Sequence, residues 1–414
     1  MTLSSMFAPT IAALRGTSTA FQTISENIAN MATPGYKKAD TRFLEVVSQG
    51  SDTLFQSYGG LRPRTQFFLD EQGTVEVSQR PLDVALQGKG FILSRTTLAA
   101  GGEEQLTRNG RLETTFVEDA GVDKTFITDV AGNFVLGWPA DGLGGFTIGT
   151  GTSGLVPMRI DRDSVAVSAA ATQNTSMIIN LDADAATGDS FARDVGVFDV
   201  TGLEHSLKAN FTKTATDNTW DVTFTITDGT VTAPAAAIQM TFNESGAIVS
   251  PTTQALSFNY TNTGGGTGAV TMDFSSMRQF AGEFALFEVQ RDGNGTGFLE
   301  SVGIDADGVV VGAFTNGTVR GLYKIPLTTV ASPNLLALRD GTHYTESNLS
   351  GSLVLFEADK TDLGSFLPSA IEQSTVDLAD EFAKMIVTQQ SFNSSGNAFQ
   401  TINDMLRVAT DLKK

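Results

Sequence analysis

Asp292, Asn294, Thr296, Gly297 and Glu300 fall on positions 1, 3, 5, 6 and 9 of a calcium loop, the pattern of an oxygen cage for a hard cation. Position 12, where the cage needs a bidentate glutamate, is Gly303, so the stretch reads as a turn. Asp182, Asp184 and Asp189 cluster among small residues without ligand spacing and read as a solvated loop. His205 and His343 are the only histidines, and neither stands near an Asp and a Ser in a nucleophile elbow. Gly88-Lys89-Gly90 lacks the six-residue spacing and following hydroxyl of a phosphate loop. The chain has no cysteine, which removes disulfides, thiolate nucleophiles and Cys-ligated metals. Its 46 acidic residues offer no preferred carboxylate pair, and the N-x-S/T triplets at Asn174, Asn210 and Asn316 are expected by chance in so Asn/Thr-rich a chain. The expectation is a protein without catalytic residues, metal or cofactor: not an enzyme.

The elements around these residues point to mechanics. At 414 residues the chain is too long for one ordinary core, and several domains are expected. Charged residues make up 18% and glycine 42 positions, which leans toward strands, turns and polar uncharged surfaces. The net charge is −19, but residues 1–50 carry +1 and residues 372–414 carry −2, so the acidity belongs to the middle. Such a field opposes nucleic acid and anionic membrane as partners. The start has no basic region ahead of an apolar run, and no segment approaches the roughly 18 apolar residues of a membrane span. Neither a secretory signal nor a membrane span is expected.

Phe7, Leu14, Phe21 and Ile28 recur every seven residues, with Leu3, Ile24 and Met31 on the adjoining seam. Leu378, Met385, Phe392, Phe399 and Leu406 repeat the pattern at the other end, supported by Phe382, Ile386, Ile402 and Ala409. The first helix should end near Met31, because Thr33 precedes Pro34 and Pro34-Gly35 fits the middle of a type II turn. Ser374, three residues ahead of Asp377, is a cap-like start for the second, whose end is closed by Lys413-Lys414. Gly396 is its weak point. A helix of about 28 residues is about 40 Å long and needs a partner of equal length. The β-rich middle offers none, so the two stripes can meet each other, meet neighbouring copies, or both. Isolated helices are marginal in water, so a lone chain is expected to leave the stripes unfinished and to order its ends on assembly.

The middle reads as nested β-domains. Leu82, Val84 and Leu86 alternate ahead of Gly88-Lys89-Gly90 and Phe91-Ile92-Leu93, as in a hairpin. This first β-domain breaks off near residues 137–145 and should resume around Phe280. Between them, Trp220, Val222, Phe224 and Ile226 alternate with Asp221, Thr223, Thr225 and Thr227, one buried face of a separate, outward-projecting domain. Thr261–Val270 reads as a flexible return linker. Residues 36–80 show no clean period and read as a connector. The expected domains are 1–35 with 372–414 as a helical assembly core, 36–80 as connector, 81–145 with 278–371 as an inner β-domain, and 146–277 as an inserted outer β-domain. The fold class is mixed and mainly β, with the terminal helices pairing into a coiled-coil-like filament core.

"NIANMATPGYKK" resembles the N-terminal signature of bacterial flagellar axial proteins, through Asn27, Ile28, Ala29, Asn30, Thr33, Gly35, Tyr36 and Lys37. The closing helix is similar at Val376-Asp377-Leu378, Glu381-Phe382, Met385-Ile386, Gln389 and Asp404-Met405-Leu406. "LDVALQGKGFIL", "LTRNGRLE", "VLGWPAD", "GVVVGAFTNGTVRGLYKIPL" and "EQSTVDL" resemble the hook proteins of this rod/hook family in order and wording. Glu26 stands where the family usually has Asn, and residues 142–277 do not align. Rod proteins share the ends but are much shorter.

The resemblance implies a structural subunit of the bacterial flagellar hook, polymerising with itself into a flexible tubular filament that transmits torque. It also implies an extracellular location, export through the flagellum's own channel without a cleaved signal, and the distal rod, the hook–filament junction proteins, the hook cap and the export machinery as partners. A rod or junction protein of the same axis is the near alternative and a secreted adhesin the distant one. The assembly residues expected are Leu14, Phe21, Ile24, Ile28, Phe382, Met385, Phe392, Phe399 and Leu406. Asn27 and Asn30 are candidates for helix or turn hydrogen bonds, and Pro34-Gly35 for the turn that sends the chain outward.

Overall fold

The computed structural model describes residues 3–48, 57–119, 121–141, 145–149, 151–161, 165–261, 266–358 and 364–411. A long helix stands at each end, α1 (Leu3–Ala29) and α2 (Leu378–Asp411), and strands dominate between them. The architecture is thus mainly β with paired terminal helices. Lys413 and Lys414 and the centre of the Thr261–Val270 linker lie outside the described residues. The chain divides into two compact units, one of Met1–Asp161, Val302–Gly312 and Arg320–Lys414, the other of Arg162–Ser301 and Ala313–Val319.

In the first unit the periodless segment 36–80 contains a long antiparallel hairpin, β1 (Ala39–Ser48) against β2 (Ser57–Phe67). Its inner face lies against α1 at Gly16, where a Cβ would stand 2.6 Å from Leu61 and 3.0 Å from Phe43. The Thr23 and Thr41 hydroxyls bond across the same contact at 2.9 Å. The alternation is hidden in the sequence because Leu44 stands on the outer face while Thr41, Glu45 and Pro63 stand on the inner one.

The expected hairpin at Gly88-Lys89-Gly90 is a correction. Strands Val84–Gly88 and Phe91–Arg95 both form, yet they do not pair. The first pairs with Gly364–Pro368, the second with Glu104–Thr107, Phe134–Pro139 and Leu327–Thr329. Gly90 is pressed on Leu327, where a Cβ would come within 2.8 Å, so the turn serves close packing between two separate ladders. The core of this unit gathers Leu69, Phe91, Leu93, Leu106, Trp138 and Tyr344.

The second unit is a sandwich. One sheet runs Gly229–Ala233, Thr253–Tyr260, Thr267–Asp273, Asn174–Asp182, Arg278–Phe280, and the other Ser190–Phe198, Glu204–Lys213, Thr219–Ile226, Ile238–Phe242, Ile248–Ser250. Trp220, Val222 and Ile226 are buried and Phe224 half-buried in the core between them, on the face their alternation predicts. Trp220 Nε1 donates to Gln279 at 3.0 Å, satisfying its one polar atom. Ala285–Arg291, which the sequence places in the inner β-domain, pairs antiparallel with Asn174–Asp182 because Leu286 and Val289 pack on this core. The unit accordingly takes in residues 278–301 and 313–319 beyond the expected 146–277, while residues 146–161 fall in the first unit.

The residues with chemical potential are engaged locally. Asp292 accepts from the Gln173 and Asn174 N–H groups at 2.8 and 2.9 Å and from Asn174 Nδ2 at 2.8 Å. Burial pushes its carboxyl up, but these bonds outweigh it and hold it below the usual range. Asp182 and Asp189 accept from the N–H groups of Asp184 and Ala186. His205 Nε2 lies 3.3 Å from Asp199.

His343 Nε2 lies 2.9 Å from the Asp129 carboxylate, with both side chains buried. Burial pushes His343 down, but its bond to Asp129 and that residue's charge outweigh this, so its pKa is raised from 6.5. Burial pushes Asp129 up, and His343 and Asn133 more than reverse it, lowering the value from 3.8. The histidine's contribution is complete below 6.5 and lost as pH rises through its raised folded value; the aspartate's is complete above 3.8 and lost as pH falls. Urea titrations across pH should show the stability gap between the wild-type chain and His343→Gln widest between these limits and shrinking on the alkaline side; a gap that widens on the alkaline side contradicts the pairing.

Candidate assembly surface at the paired chain ends

α1 and α2 pack on each other within one chain, running antiparallel. Phe7 meets Phe399 edge-on with ring centroids 5.4 Å apart, and Phe21 meets Phe392 at 6.4 Å. The expectation that a lone chain leaves both stripes unfinished is corrected in part, because the two stripes meet each other within one chain. The physical reason lies at the root of the pair, where polar groups hold the two helices together.

α1 ends at Ala29, two residues before the expected Met31. Asn30 Nδ2 bonds back to Glu26 O at 2.9 Å, and its Oδ1 accepts from the Thr33 hydroxyl at 3.1 Å, closing the helix end. Tyr36 N–H donates to Thr33 O at 3.3 Å across Pro34-Gly35, and Gly35 has φ +71°, which a type II turn demands of its third residue. A side chain on Gly35 would strike Asn109 N at 2.5 Å. The turn therefore needs glycine for both its backbone angle and its packing.

Asn27 is buried directly beneath this turn. Its Nδ2 donates to Ala39 O at 2.8 Å and to Glu381 Oε2 at 3.1 Å, and its Oδ1 accepts from Ala39 N–H at 3.0 Å and the Tyr36 hydroxyl at 3.1 Å. All four of its hydrogen-bonding positions are filled. Burial, followed by the charges of Glu26 and Glu381, pushes Tyr36 up to about 12, so it stays a donor. Asn27 thus ties α1 to the turn, to the start of β1, and to the first turn of α2.

The cap of α2 also differs from expectation. Asp377, not Ser374, accepts from the Ala379 and Asp380 N–H groups at 2.8 and 3.3 Å. Ser374 is taken up by the Val376 N–H. Asp380 and Glu381 occupy the first turn, where the helix dipole favours negative charge.

Below this Asn27 node lies a cluster that sequence reasoning missed. Lys37 Nζ bonds Glu372 Oε1 and Glu71 O, each at 2.5 Å, and Gly73 N–H donates to the same carboxylate at 2.7 Å. The Arg108 guanidinium stands 3.5 Å from the other Glu372 oxygen, an ion contact too long for a hydrogen bond. All three charged side chains are buried. Burial pushes Lys37 below the ordinary lysine value, against the pull of Glu372. Gly35 N–H to Glu372 O at 2.7 Å and Thr375 N–H to Tyr36 O at 3.2 Å complete the stitch. Only the lysine pair after the turn hints at it, since Glu372 lies 335 residues away.

Of the expected assembly residues, Ile24 is buried, and Leu14, Phe21, Ile28, Met385, Phe399 and Leu406 are half-buried. Phe382 and Phe392 are exposed. The pairing also leaves Ile386 67% and Val387 66% exposed, with Met405 and Val408 further along. One turn of α2 after another therefore presents apolar side chains to solvent. Among the described residues no helix is long and apolar enough to cross a membrane.

Comparison with known proteins finds flagellar proteins. Residues 163–294 match the model of the flagellar basal body protein FlaE D2 domain, and residues 367–412 match that of the flagellar basal body rod FlgEFG protein C-terminal. The chain is 29% identical to the flagellar hook protein FlgE of Rhizobium meliloti, with 98% of each chain covered. Together these matches support a flagellar hook protein. Other FlgE hook proteins are similar over the same span: that of Brucella suis at 28%, with both chains wholly covered, and that of Salmonella typhimurium at 29%, covering 98% of this chain and all of that one. The family is structural. The sandwich and α2 fall in the two matched segments.

Replacing Asn27 with Ala would strand Ala39 N–H, Ala39 O and the Tyr36 hydroxyl in a buried site, at about 1–3 kcal/mol for each group left unmet, while Glu381 keeps its bond from Lys384. Thermal unfolding should show a clear fall in Tm, and amide exchange should speed up in the first turn of α2; an unchanged Tm would mean that the node does not hold the helices together. Gly396 sits inside α2, and a Cβ added there would meet nothing within 4 Å. Gly396→Ala should stabilise the helix by about 1 kcal/mol, read as slower amide exchange between residues 390 and 405.

Proposed function

We propose that this chain is the structural subunit of a flagellar hook, a homopolymer in which copies join through their paired end helices to form a tubular filament. The observation that carries the reading is the α1–α2 stem, with its satisfied polar root and its unfinished apolar face. A single-chain core would bury Phe382, Ile386 and Val387; a subunit leaves them for a neighbour. Repeating one heterologous contact that does not close produces an open helical array, which is the geometry of a tube.

Leu14, Phe21, Ile24, Ile28, Phe382, Met385, Phe392, Phe399 and Leu406 are the packing positions of this assembly, with Ile24 and the phenylalanine pairs acting first within the chain. Polar, weakly charged surfaces on the β-domains suit contacts that slide while the stem stays continuous. Torque transmission, export through the flagellar channel without a cleaved signal, and contacts with the distal rod, the hook–filament junction proteins, the hook cap and the export machinery belong to the same reading. They rest on the resemblance to hook proteins. A rod protein would share the C-terminal match, which takes its name from rod proteins. The full-length similarity to hook proteins favours the hook.

Phe21→Asp places a charge in the stem against Phe392. Sedimentation of polymer should fall at least tenfold while the near-ultraviolet spectrum of the β-domains is kept; unchanged polymer yield would refute the stem as the assembly element.

A further inference from the structure

Two exposed ribbons in the first unit carry matching electrostatic faults. On the hairpin β1–β2, Arg42 stands directly opposite Arg64, and Leu44 opposite Arg62. Strand alternation puts all four on one face, turned away from the Phe43 and Leu61 face that meets α1. The three arginines are exposed and have no ion-pair or hydrogen-bond partner among the described residues. Like charges set directly across a strand pair destabilise it. In a chain of net charge −19 such a bare basic face is conspicuous by location as well as sign. Arg42, Leu44 and Arg64, with Asn334 and Leu335, line a hollow of 290 Å³.

The second ribbon pairs Leu112–Asp119 with Val122–Asp129. Near its tip Glu118 stands directly opposite Asp123, the same fault with the opposite sign, and neither has an ion-pair partner among the described residues. Phe116 shares their face and is 76% exposed. Each ribbon therefore presents a like-charged cross-strand pair beside one bare apolar side chain, Leu44 on the basic face and Phe116 on the acidic one.

We propose that the Arg42/Arg62/Arg64 face of β1–β2 in one copy docks the Glu118/Asp123 face of the 112–129 ribbon in a second copy, with Phe116 entering the hollow beside Leu44. The occupant is a second copy because the complementary charge and apolar partner are both present on this chain, each lacking a local neutraliser. Opposite charges meeting across the contact relieve both faults and select the register. The two faces differ, so the contact is heterologous and propagates without closing. This deepens the reading of the chain as a self-assembling subunit and rests on it.

The test uses two full-length variants, R42E/R64E and E118K/D123K, each checked for an unchanged near-ultraviolet spectrum. Each alone should lose polymer by at least tenfold in sedimentation, because its two faces then carry the same sign. Mixed in equal amounts, they should recover polymer to near the wild-type level, since every contact between the two kinds pairs opposite charges. Full polymer from either variant alone, or no recovery in the mixture, overturns the docking while leaving the stem reading intact. Failure of the wild-type chain to polymerise under the same conditions would instead overturn that reading.

Discussion

The structure depends on a buried polar knot that makes two chain ends leave the protein from one place. Asn27 reaches the turn at Tyr36, the start of β1 at Ala39 and the first turn of α2 at Glu381 with one amide. Beneath it, Lys37, Glu372 and Arg108 form a second knot across the same two segments. Buried networks of this kind stabilise when complete and cost heavily when one member is missing, so they specify one arrangement more sharply than apolar contact does. The helices above the knot need only modest aromatic contact to stay paired. Their remaining apolar surface stays free for other molecules.

Where faces are finished and where they are not then separates the tasks. The sandwich closes its sheets over a continuous core including Met177, Val197, Trp220 and Phe258, and Asp182, Asp189 and Asp292 accept from nearby N–H groups. The stem and the two charged ribbons of the other unit are the reverse, with apolar stripes half covered and like charges facing each other. An open assembly requires surfaces that a lone chain leaves incomplete and that differ from each other, and these elements supply them.

Long regular signals are readable in the residues themselves. Seven-residue recurrence marks both helices, strict alternation marks Trp220–Ile226 as a half-buried strand, and Pro34-Gly35 marks a turn whose geometry the backbone displays. Local signals mislead where the deciding contact is remote. Val84–Gly88 and Phe91–Arg95 look like hairpin arms, yet Gly364–Pro368 and Leu327–Thr329 claim them. Ser374 and Asp377 are both competent caps, and only the path of the chain from Glu372 selects Asp377. The hairpin at 39–67 leaves no clean period because Leu44 interrupts its polar face and Thr41, Glu45 and Pro63 interrupt its apolar one.

By itself the sequence determined the existence and the extent of the terminal helices, the β-rich middle, the chain-reversing turn and the kinship with hook proteins, because each is written in local periodicity, in glycine and proline backbone preference, or in motif. Only the tertiary structure decided that α1 and α2 pair within one chain, that Lys37 and Glu372 are buried together, and that Arg42 faces Arg64. The first two depend on which distant segments meet, and a meeting across more than 300 residues leaves no periodic trace in either partner; the third depends on the register of one hairpin.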